Sequence, residues 1–182
     1  MHTKEELYSN KIFFNAALPL VKVIANDVPS LKKQFAHVHA IIQVSAKDPD
    51  APGGKVGMHF VVNSDEWLVH LNKVDPNPHV ELEFKSVEAM NAFFKGKMSP
   101  ATLPKMKGVV THFGAFKAFL MTLLKMSSLL GATEAPKDEA TKELMVKCFF
   151  YLLSSGISQL NKMGHEDIHD WTSKSPDRVY AW

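Results

Sequence analysis

The residues able to do chemistry in this chain are few, and their spacing is the first thing to read. His165-Glu166-Asp167-Ile168-His169 matches H-E-x-x-H. On a helix that spacing puts two imidazoles on one face to hold zinc, with the glutamate as general base of a metal-dependent hydrolase. Here the motif follows the helix-stopping Gly164 in a polar tail, and a third ligand would have to come from Asp170 or Asp177. We therefore expect no metal, and keep a hydrolase built on His165, Glu166 and His169 as the alternative reading. His37 and His39, two apart on a strand pattern, share a face and read as a solvated sheet surface. His59, His70, His79 and His112 read as single strand histidines, at the surface or satisfied by hydrogen bonds. Cys148 lies on an apolar helical stripe with no activating histidine marked near it, which makes it a small core residue and not a nucleophile. Glu81 and Glu83 fall on the wet side of a strand pattern and are expected to be solvated. The G-x-S-x-G, G-x-x-x-x-G-K-[ST] and G-x-G-x-x-G patterns are all missing from the sequence. We assign no catalytic residue and no cofactor, and expect a protein that is not an enzyme.

What positions these residues must come from an ordinary globular chain. Of 182 residues, 46% are hydrophobic and 22% charged, which excludes disorder and leaves room for one core without disulfides or metals. The single cysteine excludes a disulfide framework. A formal net charge of +2 lacks the basic excess of nucleic-acid binders. Against 3 Tyr stand 12 Phe and 9 Met, apolar bulk without polar tips, which tilts the reading toward an apolar ligand. The start, Met1-His2-Thr3-Lys4-Glu5-Glu6, is too polar and acidic for a signal peptide, and Tyr180-Ala181-Trp182 is no peroxisomal address. The longest apolar stretch, Phe113 to Leu130, carries Lys117 and Lys125 and reads as a buried helix, not a membrane span. A cytoplasmic protein is the expectation.

Periodicity supplies the elements. Residues 11–28 repeat apolar side chains at steps of three and four, predicting a helix that Pro19 kinks or starts and that ends by Pro29. From Phe35 to Ala46 the pattern alternates, with Val38, Ala40, Ile42 and Val44 on the apolar face. Strands are expected near 56–63, 66–72 and 79–84, separated by the turn clusters Asp48 to Gly54, Asn63 to Asp65 and Asp75 to Pro78. Together they read as a four-stranded antiparallel meander with one wet face. Ser86 caps a helix over Val87 to Phe94, which Gly96 stops. Alternation over Lys107 to Phe113 predicts a fifth strand, and Gly114 opens the long apolar helix, ended by Gly131. A striped helix follows over 139–163, with Leu144, Met145, Cys148 and Leu152 on its apolar side.

The helix after Gly114 is apolar on two sides. Phe113, Phe116, Leu120, Leu123, Leu124 and Leu130 make one stripe; Ala115, Phe119, Met126 and Leu129 make the other. One sheet face covers one stripe, so helix 139–163, a partner chain or a lipid must cover the second. Met90, Phe93, Phe94, Met98, Leu103 and Met106 add soft apolar surface just upstream.

Trp67-Leu68-Val69-His70-Leu71, the strand Val80-Glu81-Leu82-Glu83-Phe84, the helix Ser86 to Phe94, Gly96-Lys97-Met98-Ser99-Pro100, and Gly108 and Gly114 bracketing Val109 to Phe113 occur in that order. The ordered set, spanning about residues 10–131, resembles the sterol carrier protein type 2 family. The family shows a W-x-V-x-L strand, a V-x-L-x-[LF] strand, a short helix with G-K-x-x-P, and a glycine-bracketed strand before an apolar helix. The resemblance implies an α/β domain of the α+β kind, with a five-stranded, mostly antiparallel sheet and helices packed on one face. It also implies a hydrophobic tunnel for acyl chains or sterols, and no catalytic residues. Carried onto this chain, the tunnel positions are Met90, Phe93, Phe94, Leu103, Met106, Phe113, Phe116, Phe119, Leu120, Leu123 and Leu124. The family usually places a polar residue after the second glycine, where this chain has Ala115, and residues 132–182 lie outside the match as a C-terminal helical extension packed on the same domain. The function read from the sequence is lipid binding or transfer, with a fatty acid, acyl-CoA or sterol-like partner, no nucleic acid, and transient membrane contact. The remaining alternatives are the hydrolase above and a non-catalytic interaction module.

Overall fold

Alternating strands with one apolar face must cover that face, and the helices of this chain do so. The computed structural model describes residues 14, 17–94, 97, 99–130, 134 and 136–162, the side chains of 130 and 156–162 excepted. In chain order the elements are α1 (Leu20–Asp27), α2 (Pro29–Phe35), β1 (His39–Lys47), β2 (Lys55–Asn63), β3 (Glu66–His70), β4 (Val80–Phe84), α3 (Val87–Phe94), β5 (Lys105–Lys107), α4 (Phe113–Leu130) and α5 (Glu139–Lys162). Pro19 marks the first turn of α1, as the sequence allowed, because a proline has no N–H for a helix interior to lose. The sequence reading started a strand at Phe35, where the chain instead forms α2. Pro29 opens that helix, and Leu31 and Phe35 are its buried side.

The strands lie in the order β3-β2-β1-β4-β5. β1, β2 and β3 form the antiparallel meander, with Val44 opposite Met58 and Phe60 opposite Val69. β4 departs from the meander: it lies parallel to β1, with Val44 opposite Leu82. The segment 71–79 therefore has to cross the sheet, and it is pinned as it goes. The Lys73 carbonyl meets His59 Nδ1 at 2.9 Å, the Asp75 N–H donates to Gln43 Oε1 at 2.6 Å, and the His79 N–H donates to the Ile41 carbonyl at 2.9 Å. The sheet is thus mixed but mostly antiparallel, its one parallel pair made by that crossing.

The fifth strand also sits earlier than the alternation over 107–113 placed it. β5 pairs antiparallel with β4 only through Lys105, Met106 and Lys107. Gly108 ends it with φ +74°, and a side chain there would run into the His79 carbonyl oxygen. Residues 109–112 turn, and the helix begins at Phe113.

Ala40, Ile42, Val44 and Ala46 of β1, Met58, Phe60 and Val62 of β2, and Val80, Leu82 and Phe84 of β4 are all buried. Helices cover this face. Phe35 of α2 meets Trp67 edge-on at 4.7 Å, Trp67 meets Phe60 at 5.5 Å, and Phe60 meets Phe119 of α4 at 6.1 Å. Phe84 carries Phe93 and Phe94 of α3 at 5.4 and 5.6 Å. The Ser86 hydroxyl accepts the Ala89 N–H at 3.2 Å, the expected cap of α3. α5 packs against α1 as a further layer, where Leu144 and Cys148 are buried and Lys147 pairs with Asp27 at 2.7 Å.

Candidate functional site

The opposite face of the sheet is where the polar side chains converge, and it is not wet. Glu81 is 2% exposed and Glu83 7%, which corrects the expectation that they are solvated. Strand pairing explains it: β4 lies between β1 and β5, so each carboxylate has polar neighbours on both sides. Glu81 accepts from Gln43 Nε2 at 2.9 Å, Ser45 Oγ at 2.6 Å, Lys55 Nζ at 3.3 Å and Lys107 Nζ at 2.9 Å. Glu83 accepts from Lys107 Nζ at 2.9 Å and is also held by Lys55. Burial alone would raise the Glu81 pKa, but the hydrogen bonds from Ser45, Lys107 and Gln43 and the charge of Lys55 hold it at about 2. Lys55 hydrogen-bonded to Glu83 lowers that carboxyl as well, and Glu81 in turn raises Lys107. Two carboxylates and two ammoniums compensate one another here. An acid held so far below neutrality and saturated with donors is a poor proton shuttle, so the cluster is built to hold strands together.

His59, His70, His79 and His112 are likewise spent on structure. His59 is buried against the Lys73 carbonyl and stacks on His70 at 4.6 Å. His79 Nδ1 accepts the Ile41 N–H at 2.9 Å, and its ring meets His112 at 4.9 Å. These last two lie in turns, not in strands. Cys148 is buried in the core, and that burial raises its thiol pKa. Among the described residues no three His, Cys, Asp or Glu side chains stand together as metal ligands. His165, Glu166 and His169 lie outside the described residues, as do Gly96, Met98 and Gly164.

The apolar candidates divide by depth. Met90 and Phe119 are fully buried, while Phe93, Phe94, Phe116 and Leu123 are half-buried against the core. Leu103, Met106, Phe113, Leu120 and Leu124 are exposed. Helix rotation explains the split. Ala115, Ala118, Phe119, Thr122, Met126 and Leu129 form the buried side of α4, so the Phe113, Leu120 and Leu124 side points outward. The Thr122 hydroxyl donates to the Ala118 carbonyl at 2.8 Å, which lets a polar residue enter that buried side. The small Ala115 and Ala118 bring α4 close to α1, α2 and the sheet. α5 rests on α1, on another flank.

A separate cavity of about 570 Å³ lies beside the start of β2, ahead of the part that pairs with β3. Phe14, Pro52, Lys55, Val56, Val74 and Pro76 are among its lining residues, and it shares none of the eleven candidates. Sequence reasoning missed it, because its walls come from turns distant in the chain. Only the clustering of Pro and Gly at 49–54 and 76–78 hinted that the chain doubles back there.

No protein-family model matches the chain, and no curated protein matches it. Solved structures do. A crystal structure of sterol carrier protein 2 superposes with a TM-score of 0.43 at 11% identity, over 72% of this chain and 97% of that one. Sterol carrier protein 2 from Yarrowia lipolytica, in its apo form, gives 0.38 at 16% identity, over 58% of this chain and 87% of that one. The solution structure of the sterol carrier protein domain 2 of Helicoverpa armigera gives 0.38 at 18% identity, over 65% of this chain and 87% of that one. The likeness is one of fold alone.

Proposed function

We propose that this chain is a non-catalytic cytoplasmic carrier that holds a fatty acyl, acyl-CoA or sterol-like body between the sheet and the helices α3 and α4. One observation carries the reading: α4 is apolar on two opposite sides, and the core uses only one of them. A soluble helix that needs a single buried stripe gains nothing in stability from Phe113, Leu120 and Leu124 on its far side. Met90 and Phe119 would form the floor of the site. Phe93, Phe94, Phe116 and Leu123, already half-buried, would give way to line it. Leu103, Met106 and Phe113 would stand at its mouth, and Leu120 and Leu124 would continue the apolar surface outward along α4. The sequence resemblance puts its tunnel on the same segments.

Removing about 300 Å² of ligand surface from water at about 25 cal/mol/Å² contributes roughly 7 kcal/mol before the costs of association. Apolar contact is non-directional, so the carrier would tolerate ligands of different head group. Among the described residues no helix is long and apolar enough to cross a membrane. The test is solvent extraction of the purified protein followed by mass spectrometry, with displacement of a fluorescent fatty acid as the second readout. A stoichiometric lipid, or displacement abolished by Phe116→Trp, supports the reading. A protein that carries no lipid and takes up no probe overturns it.

A further inference from the structure

We infer that the outward side of α4, with the turn before it, docks on an anionic lipid surface, and that a ligand would enter and leave through that face. Two independent observations meet here. The first is apolar exposure: Val110 is 92% exposed, Phe113 60% and Leu124 55%, and Leu120 lies between the last two. Phe113, Leu120 and Leu124 are spaced by seven and four, so they form one ridge, about 17 Å long at the rise of an α-helix. The opposite side of α4 is locked into the core through Phe119 and Met126, so the ridge cannot roll inward.

The second observation is charge. From Ala89 to Thr133 the chain has Lys95, Lys97, Lys105, Lys107, Lys117 and Lys125, and no Asp or Glu. Since the whole chain is +2, the rest of it is −4. Lys107 is taken up by Glu81 and Glu83. Lys97 and Lys117 are exposed, and no ion pair among the described residues holds them, while Lys105 shares the sheet face of Lys107 and the half-buried Lys125 lies near Asp138. Lys117 stands on the ridge itself, one turn from both Phe113 and Leu120, where its stem can lie along apolar surface while its ammonium reaches outward. A protein partner could accept the apolar ridge, but an acid-free, lysine-bearing ridge is matched by a surface that is at once apolar inside and negative outside. The interface of an anionic bilayer is such a surface, and a helix lies in it with its apolar side down and its lysines at the head groups.

The purpose given to docking rests on the carrier reading; the docking itself does not. Sedimentation of the full chain with vesicles of phosphatidylcholine and roughly one-third phosphatidylserine, against vesicles of phosphatidylcholine alone, tests it. The expected result is preferential binding to the anionic vesicles, weakened by salt. F113S/L124S should lower the partition coefficient at least about tenfold. Lys117→Glu should lower it on the order of 25-fold, about fivefold for each unit of charge changed. All these positions are exposed, and an unchanged urea midpoint will show that the variants fold. Binding that ignores vesicle charge, that is absent, or that survives both variants overturns the inference. So does light scattering that shows a dimer of the full chain dispersed by F113S/L124S, since the ridge would then serve a second copy. Probe displacement in vesicle-free solution keeps the two ideas apart. Vesicle binding without uptake sinks the carrier and leaves the docking face, and uptake without vesicle binding does the reverse.

Discussion

Glu81 shows how much one side chain can decide. It sits at the centre of the sheet's polar face with Gln43, Ser45, Lys55 and Lys107 all donating to it. Replacing it by alanine leaves the buried Gln43 and Ser45 facing a gap and gives Lys55 and Lys107 only Glu83 to face. Glu81→Ala should cost about 3 kcal/mol at neutral pH, read as a lower urea midpoint. The pH dependence follows from the direction of the shift. The folded protein holds Glu81 at about 2, below its ordinary 4.5, so the native state favours the ionised form. That stability is fully present above pH 4.5 and drains away as pH falls from there toward 2. Glu83 is lowered too and adds to the same acid limb. Lys107 is raised, so its share persists at neutral pH and is lost only as pH rises through its own elevated value. The gap in midpoint between the native sequence and Glu81→Ala should therefore shrink when measured near pH 3. An equal gap at both pH values would mean that the carboxylate acts through packing and not through charge.

Elements are where local pattern and long-range pairing part company. Alternation found β1 to β4 to within a few residues, Ser86 announced α3, and Pro19 announced α1, because each signal is local and steric. Alternation is silent on partners, however, so the parallel pairing of β4 with β1 and the crossing of 71–79 were not legible. The burial of Glu81 and Glu83 was lost with them. In the same way α4 was legible as a helix, but not its rotation, since both of its stripes are apolar. The signal lay in Ala115, Ala118 and Thr122, whose small or self-satisfied side chains suit a close-packed face. This rotation can be tested by stability alone. Phe119→Ala should cost about 3–5 kcal/mol, whereas Leu124→Ser should stay within about 0.5 kcal/mol of the native sequence. Comparable losses at the two sites would show that both sides of α4 are buried. Gly108 offers a second test, because it stops β5 at a positive φ directly over the His79 carbonyl. Gly108→Ala meets the strain of that φ and the collision together. It should cost at least about 2 kcal/mol by thermal or urea unfolding. A neutral substitution would mean that β5 can shift along β4.

On the scale of the whole molecule, the described layers are held with unequal strength. The sheet and α1 to α4 share one continuous apolar interior, which α5 joins through Leu144 and Cys148, packing mainly on α1. Leu144 and Cys148 are its buried contributions, and Phe149 and Phe150 on the same helix remain exposed. Its ion pair, Lys147 with Asp27, is largely open to water and contributes little. A layer with only two fully buried side chains among the described residues should open before the sheet does. The chain carries its own reporter of that opening, because its one cysteine, Cys148, sits on the buried side of α5. Alkylation of the native protein should be slow, since burial both hides the thiol and raises its pKa. The dependence of the labelling rate on urea separates two cases. If α5 lifts off by itself, the slope of the opening free energy against urea falls well below the slope for global unfolding, because little surface is exposed. Labelling should then occur while hydrogen exchange in β1 and β4 stays protected. Equal slopes, with Cys148 reacting only as β1 exchanges, would make α5 an integral part of the folding unit.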